Sequence, residues 1–378
     1  MANTAIDLHN TISTEQAYEI IKTNVKTIID NPALSQAIPP IMLRGAPGIG
    51  KSSIVKKVAN DLGISYIDIR LSQMEPVDLR GLPVPDKEHK IVEWFVSGDL
   101  PREEKHGKFG IILFDELTSA DRSLQVASYE LILDRRLGNL YKIPDGWYIV
   151  ACGNRVEDRA VSTTMSSALA NRFMHFDMEA DYEDWKIWAV KNDLHPSVIG
   201  FIDYRPGCLF EMKGQNLERG WPSPRSWERV SNMISLYGSN ENVFRKIVYG
   251  LVGNKVGVEF MEFHKINKNF NSVLDMMTNP NSNIVIPTRM DEKYAFCSAV
   301  QYLVWKGIDD DDRNNRLIGL FRICEKLESD FATMTMFASL QGNNVVSKAD
   351  AGRFIFKHPR YATFMEKHGA ALRKKYSI

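Results

Sequence analysis

Between residues 14 and 30 the apolar positions Ala17, Ile20, Ile21, Val25, Ile28 and Ile29 recur every three or four residues. That spacing predicts one amphipathic helix, and Asn31-Pro32 ends it. From Pro39 the rhythm changes to short apolar runs separated by amphipathic stretches. The runs are Ile41–Arg44, Tyr66–Leu71, Ile111–Phe114, Tyr148–Cys152 and His175–Met178. Because they are apolar throughout rather than alternating, they fit strands buried on both faces of a parallel sheet. An α/β layer fold with a five-stranded parallel sheet is expected.

The second and third runs are separated by the Pro- and Gly-rich stretch MEPVDLRGLPVPDKEHKIVEWFVSGDLP, within which about 76–98 reads as an insertion. Val84-Pro85-Asp86 and Ile91-Val92-Glu93-Trp94 flank DKEHK as a candidate hairpin, with Pro85 limiting it to an edge position. From Asp181 the chain turns helical. Trp185, Trp188 and Ala189 lie at helical spacing in 181–191, Ser226–Tyr237 reads as a further helix, and 293–305 and 313–328 follow. In the last of these Leu317, Leu320, Phe321, Cys324 and Leu327 form the apolar stripe. The domain reading is an N-terminal helical segment (1–38), an α/β core (39–180), a helical lid (181–240) and a C-terminal helical domain (241–378).

One motif converts this architecture into chemistry. Gly45-Ala46-Pro47-Gly48-Ile49-Gly50-Lys51-Ser52 satisfies GxxxxGK[ST], followed by Ser53. At average residue usage such a match arises by chance in roughly one chain of this length in a hundred. Its context narrows it further, since IMLR before it reads as a strand and SIVKKVANDLG after it as a helix capped by Gly63. Strand, glycine loop and helix in that order let several N–H groups converge on phosphate oxygens at a positive helix end. Lys51 would bridge the β- and γ-phosphates of ATP, and the Ser52 hydroxyl would hold Mg²⁺.

A second motif answers the first. Ile111-Ile112-Leu113-Phe114 ends in Asp115-Glu116, two carboxylates at the end of a buried strand. Such placement is costly unless a cation or an activated water uses them. Asp115 is the candidate metal carboxylate, and Glu116 the candidate base that orients the attacking water.

Composition adds mainly exclusions. Lys+Arg and Asp+Glu balance at 47 each, so no overall field draws the 378-residue chain to nucleic acid or an anionic membrane. Cys152, Cys208, Cys297 and Cys324 are scattered without a CxxC pair, which suits reduced thiols. The N-terminus lacks a basic start and an apolar core, and no 18-residue apolar run occurs, so a cytoplasmic protein is expected.

With these residues in place, the chain resembles the AAA+ superfamily, and within it the MoxR-like and dynein-related ATPases. The resemblance covers about 39–237 and rests on GAPGIGKS, FDELTSADRSLQVASYELILDRRLG, YIVACGN, ALANRF and SPRSWERV. It implies that Asn154 is the polar residue that aligns the lytic water. It implies that Arg172 is an arginine finger reaching the γ-phosphate of a neighbouring subunit, and that Arg225 contacts nucleotide from the lid. A surface ion pair for Arg172 and a helix-start charge for Arg225 remain alternatives, and Arg135, Arg136, Arg155 and Arg159 are rival fingers. By the same resemblance the insertion forms a hairpin toward a ring pore, a surface loop being the alternative. It further implies a hexameric ring that remodels or activates a protein, often with a von Willebrand factor A-domain partner.

Other features have simpler readings. Asp309–Asp312 reads as a helix N-cap, Arg373-Lys374-Lys375 as a solvated tail, and Trp221 and Trp227 as packing. A nucleic-acid motor and a nucleotide-gated scaffold with little turnover are the competing functions. The mixed charge of DKEHK opposes the first and the presence of Glu116 the second.

Overall fold

The computed structural model describes residues 10–155, 165, 167–212, 220–266, 270–307 and 309–376. Two compact units divide it, Met1–Asp181 and Tyr182–Ile378.

The first unit begins with β1 (Thr11–Ile12), α1 (Thr14–Asp30), β2 (Ile41–Arg44), α2 (Lys51–Leu62) and β3 (Ser65–Arg70). The insertion supplies α3 (Pro76–Arg80), β4 (Leu82–Asp86), β5 (Ile91–Phe95) and α4 (Glu103–His106). Then come β6 (Gly110–Asp115), α5 (Arg122–Leu133), β7 (Arg136–Leu137), β8 (Tyr141–Lys142), β9 (Trp147–Gly153), α6 (Ser167–Ala170) and β10 (Met174–Met178). Helix α1 starts where Ser13 and Gln16 cap each other: the Ser13 hydroxyl accepts from the Gln16 N–H at 3.3 Å, and the Gln16 side chain accepts from the Ser13 N–H at 2.9 Å. Ala17, Ile21, Val25 and Ile28 are its buried stripe.

The main sheet runs β1-β10-β2-β9-β6-β3, with every pairing parallel. All five expected strands are present, and the sheet holds a sixth. Thr11 and Ile12 pair with Asp177 and Met178, and the Asn10 amide donates to the His175 carbonyl at 2.8 Å. A two-residue strand carries no period, so only the free edge of β10 decides that it forms. Met42, Leu43, Ile112, Phe114 and Val150 are wholly buried, as expected for strands covered on both faces.

The order of the strands matters more than their number. β9 lies between β2 and β6, with Arg44 opposite Gly153 and Phe114 opposite Ala151. The carboxyl ends of three adjacent strands therefore open onto one edge, where ligands bind in open α/β sheets.

The second unit is helical: α7 (Tyr182–Lys191), α8 (Pro196–Tyr204), α9 (Pro224–Tyr237), α10 (Glu241–Val252), α11 (Asn254–Ile266) and α12 (Phe270–Thr278). The remainder comprises α13 (Met290–Val304), α14 (Asp310–Lys326), α15 (Ser329–Leu340), α16 (Lys348–Phe356) and α17 (Tyr361–Tyr376). The expected break between a lid and a further domain near residue 240 is not a gap in packing. Phe244, Val248 and Phe260, from beyond that point, share one core with Phe201 and Trp227. Phe201 and Phe260 meet edge to face, and the Trp227 indole donates to the Cys208 carbonyl at 2.8 Å. Asp309 caps α14 by accepting from the Asp312 N–H at 2.8 Å. A buried ion pair, Lys186–Asp203 at 2.8 Å, ties α7 to α8 and is completed by the Tyr182 hydroxyl at 2.6 Å.

His195 caps α8 by accepting from the Ser197 N–H at 3.1 Å. Burial, and then the neighbouring His264, lower its pKa from 6.5 to about 4. The folded protein thus keeps His195 neutral where the unfolded chain takes up a proton. Stability is expected to fall as pH drops from about 6.5 to about 4, by up to about 3 kcal/mol from this group. Urea unfolding across that window checks it. His195→Asn retains a capping oxygen and should flatten the decline.

Candidate nucleotide-binding site

Strand β2 delivers the chain into the loop Gly45–Gly50 at the carboxyl edge of the sheet, and α2 begins directly after it. Gly50 is the N-cap of α2 with φ +101°, a backbone that L side chains rarely adopt. Within α2 the positions Lys51, Ile54, Val55, Val58 and Ala59 are buried, so the helix is clamped on the sheet from its first residue. That fixes where its amino end points. Ala46 and Ile49 bury their side chains, Pro47 and Gly48 are half-buried, and Ser53 is exposed on the first turn.

The Lys51 ammonium is 8% exposed as a residue and donates to the Gly45 carbonyl at 2.6 Å, the Ala46 carbonyl at 2.9 Å and Asn154 Oδ1 at 3.3 Å. Asn154 follows β9. It is held by Thr118, whose hydroxyl accepts from the Asn154 N–H at 3.0 Å and donates to its carbonyl at 3.2 Å. On the other side of β9, Asp115 ends β6. Its Oδ2 accepts from the Ser52 hydroxyl at 2.7 Å and its Oδ1 from the Glu116 N–H at 2.9 Å.

Glu116 has φ +57° and ψ +30°, a left-handed conformation for a residue with a side chain. Such a backbone costs on the order of 1–3 kcal/mol and persists where the surroundings enforce it. Here the Ser72 hydroxyl, just beyond β3, donates to Glu116 Oε2. Asp68 on β3 completes an acidic edge. Burial, and then the Asp115 charge, push its carboxyl above the usual range, while Arg70 at 3.3 Å opposes the rise. Burial likewise raises the Cys152 thiol under the site, leaving it protonated and inert.

The structure therefore brings together Lys51, Ser52, Asp115, Glu116 and Asn154 from three adjacent strand ends. This donor set suits a polyphosphate with a divalent cation. The ammonium and the amino end of α2 suit anionic oxygens, and a hydroxyl bonded to a carboxylate presents two hard oxygen ligands. Ser72 and Thr118 had been missed from sequence. Each is one polar residue in a turn after a strand, so only the sheet order shows what it touches.

The arginines separate by environment. Arg172 is exposed in the turn between α6 and β10, and Arg225 is exposed in the first turn of α9, in the second unit. Arg135 is buried, and its Nη2 donates to the Pro144 and Trp147 carbonyls at 3.0 and 2.6 Å, which commits it to holding the β7–β8 hairpin. Arg155 pairs with Glu179 at 3.3 Å, Arg136 is exposed 3.8 Å from Glu130, and Arg159 lies outside the described residues. A cavity of about 670 Å³ lies elsewhere. It sits among Pro40, Tyr148 and the β7–β8 hairpin, at the amino ends of the strands. The convergence of charged groups, rather than cavity volume, marks the sheet edge as the candidate site.

Residues 40–173 match the family described as the AAA domain of the dynein-related subfamily. A protein named Midasin from Giardia intestinalis is 30% identical over 174 residues, which are 43% of this chain and 4% of that protein. A solved structure from Cytophaga hutchinsonii described as a "putative ATPase" is 16% identical, with 80% of this chain and 83% of that one covered at a TM-score of 0.30. The chain carries an AAA+ domain of the dynein-related type, a nucleotide-binding class. It spans a small fraction of Midasin's length, so the likeness concerns this one domain. Among the described residues no helix is long and apolar enough to cross a membrane.

Proposed function

We propose that this protein hydrolyses ATP with magnesium and uses the energy, as one subunit of a ring, to remodel or activate another protein. The observation that carries the reading is the convergence of Lys51, the Ser52–Asp115 pair, Glu116 and Asn154 on one sheet edge. Ser52 and Asp115 would hold the magnesium ion, whose contribution is to neutralise charge on the phosphate oxygens. Lys51 exchanges its loop carbonyls for phosphate oxygens, a charge-assisted replacement for neutral acceptors. Glu116 and Asn154 orient the water that attacks the γ-phosphate, and Glu116 takes its proton. Arg172, exposed before β10, is assigned to the γ-phosphate of a neighbouring subunit, in a hexamer of the MoxR-like kind. Arg225 is assigned to the nucleotide bound by its own chain. The equal numbers of acidic and basic residues favour a protein over a nucleic acid as the object of the work. A partner with a von Willebrand factor A domain fits the family resemblance.

The direct test is binding of a fluorescent ATP analogue with magnesium. The unaltered protein should bind it, and Lys51→Ala should bind roughly 10–100-fold more weakly, the worth of a hydrogen bond to a charged group. A purified protein with no affinity for adenine nucleotides and magnesium would sink the proposal.

A further inference from the structure

Thr118 lies in the short 3-10 turn Leu117–Ser119, directly after the two acidic residues that end β6, and is 4% exposed. Its hydroxyl crosses to the end of the adjacent strand β9, where it accepts from the Asn154 N–H at 3.0 Å and donates to the Asn154 carbonyl at 3.2 Å. A hydroxyl can donate and accept at once, so one atom holds the backbone on both sides of the Asn154 Cα. The approach is close. A Cβ on Gly153 would lie 2.6 Å from Thr118 Oγ1 and 2.7 Å from its Cγ2, so glycine at 153 is what admits the threonine.

The β6–β9 ladder ends at the pair Phe114–Ala151, short of both Glu116 and Asn154. Beyond that pair the two strand ends are pinned to each other by the Thr118 hydroxyl. On one side of the pin stands Glu116, two residues earlier at φ +57°, with its carbonyl accepting from the Ser119 N–H at 2.9 Å. On the other side the backbone leads to the phosphate loop. The Gly153 carbonyl accepts from the Gly45 N–H at 3.3 Å, and Asn154 Oδ1 accepts from the Lys51 ammonium at 3.3 Å.

We infer that Thr118 is a positioning residue, whose hydroxyl fixes the backbone of Asn154 so that the Asn154 amide stays beside Lys51 and faces the terminal phosphate of a bound triphosphate. Thr118 touches no substrate and acts through Asn154, so it has this role only if Asn154 serves that phosphate, as proposed above. A short side chain moves with its backbone, and a displacement of about 1 Å at such a group costs on the order of 100-fold in rate. Volume alone does not meet the need. Valine fills the same space but leaves the Asn154 N–H and carbonyl without the hydroxyl that pairs both.

Thr118→Val should lower kcat roughly 10–100-fold with KM within about threefold. It should also lower the preference for a non-hydrolysable ATP analogue over ADP roughly three- to tenfold. Thr118→Ser restores the hydroxyl and should return both to within about threefold of the unaltered chain. The deciding background is Asn154→Ala, which keeps the N–H and carbonyl that Thr118 holds and removes only the amide. There Thr118→Val should change turnover and analogue preference by less than about twofold, while its lowering of the urea midpoint persists. Equal losses in both backgrounds, a Thr118→Ser as impaired as Thr118→Val, or a Thr118→Val that behaves like the unaltered chain would each overturn the inference. Thr118→Ala adds no bulk and takes over should Thr118→Val fail to fold; if both unfold, Thr118 is structural and the positioning role is withdrawn. The analogue preference needs no turnover, so a chain that binds ATP without hydrolysing it sinks the hydrolysis proposal alone. A chain that binds no adenine nucleotide sinks both.

Discussion

Arg172→Ala is expected to lower ATP turnover by roughly 10³–10⁵-fold while nucleotide affinity stays nearly intact. The size follows from the charge that a finger neutralises on the transferring phosphoryl group. Arg172 fits the assignment because it is exposed in the turn before β10, whereas Arg135 is buried against carbonyls and Arg155 is paired with Glu179. A finger offered to a neighbour has a signature that a local ion pair lacks. An Arg172→Ala subunit retains Lys51 and Glu116, and a Lys51→Ala subunit retains Arg172. Mixing the two inactive proteins should restore part of the turnover. Arg172→Ala turning over like the unaltered protein, or a mixture that stays inactive at every ratio, removes Arg172 from the role.

The second large effect belongs to Glu116→Gln, expected to reduce turnover roughly 10²–10⁴-fold with ATP still bound. Glutamine keeps the shape of the side chain and an oxygen for the Ser72 hydroxyl, so the strained backbone at residue 116 is left undisturbed. What it lacks is the charge that accepts the proton of the attacking water. Single-turnover phosphate release, with analogue binding in parallel, separates chemistry from affinity. A variant that releases phosphate at the original rate would show that another group activates the water. The same variant, expected to hold ATP without consuming it, suits isolating whatever the protein acts on.

Some of this was open to reading in the chain because the information is local. The loop Gly45–Ser52 is a contiguous motif with a strand before it and a helix after it, and Lys51 at the head of α2 is buried on the stripe that Ile54, Val55 and Val58 continue. The strand ending in Asp115 was legible from four consecutive apolar residues, and the helix 14–30 from its spacing and its Asn-Pro stop. The hairpin in the insertion was legible in outline, since two β-prone runs flank a polar tip. Its register was not, because register is a property of two strands together.

Other features were closed to sequence reading for a physical reason. The Thr11–Ile12 strand is too short for any period. Ser72 and Thr118 are single polar residues whose partners lie 44 and 36 positions away. The shared core of Phe244, Phe260 and Trp227, on both sides of residue 240, was closed to it as well, because composition does not show which residues pack together. By itself the chain carried the signals of a phosphate-binding loop and a pair of carboxylates, because backbone curvature and strand burial are written in adjacent residues. Folding alone settled which groups meet. β9 had to lie between β2 and β6 before Asn154 could touch Lys51 and Ser52 could touch Asp115, and the order of strands in a sheet is decided by long-range packing, which no local window records.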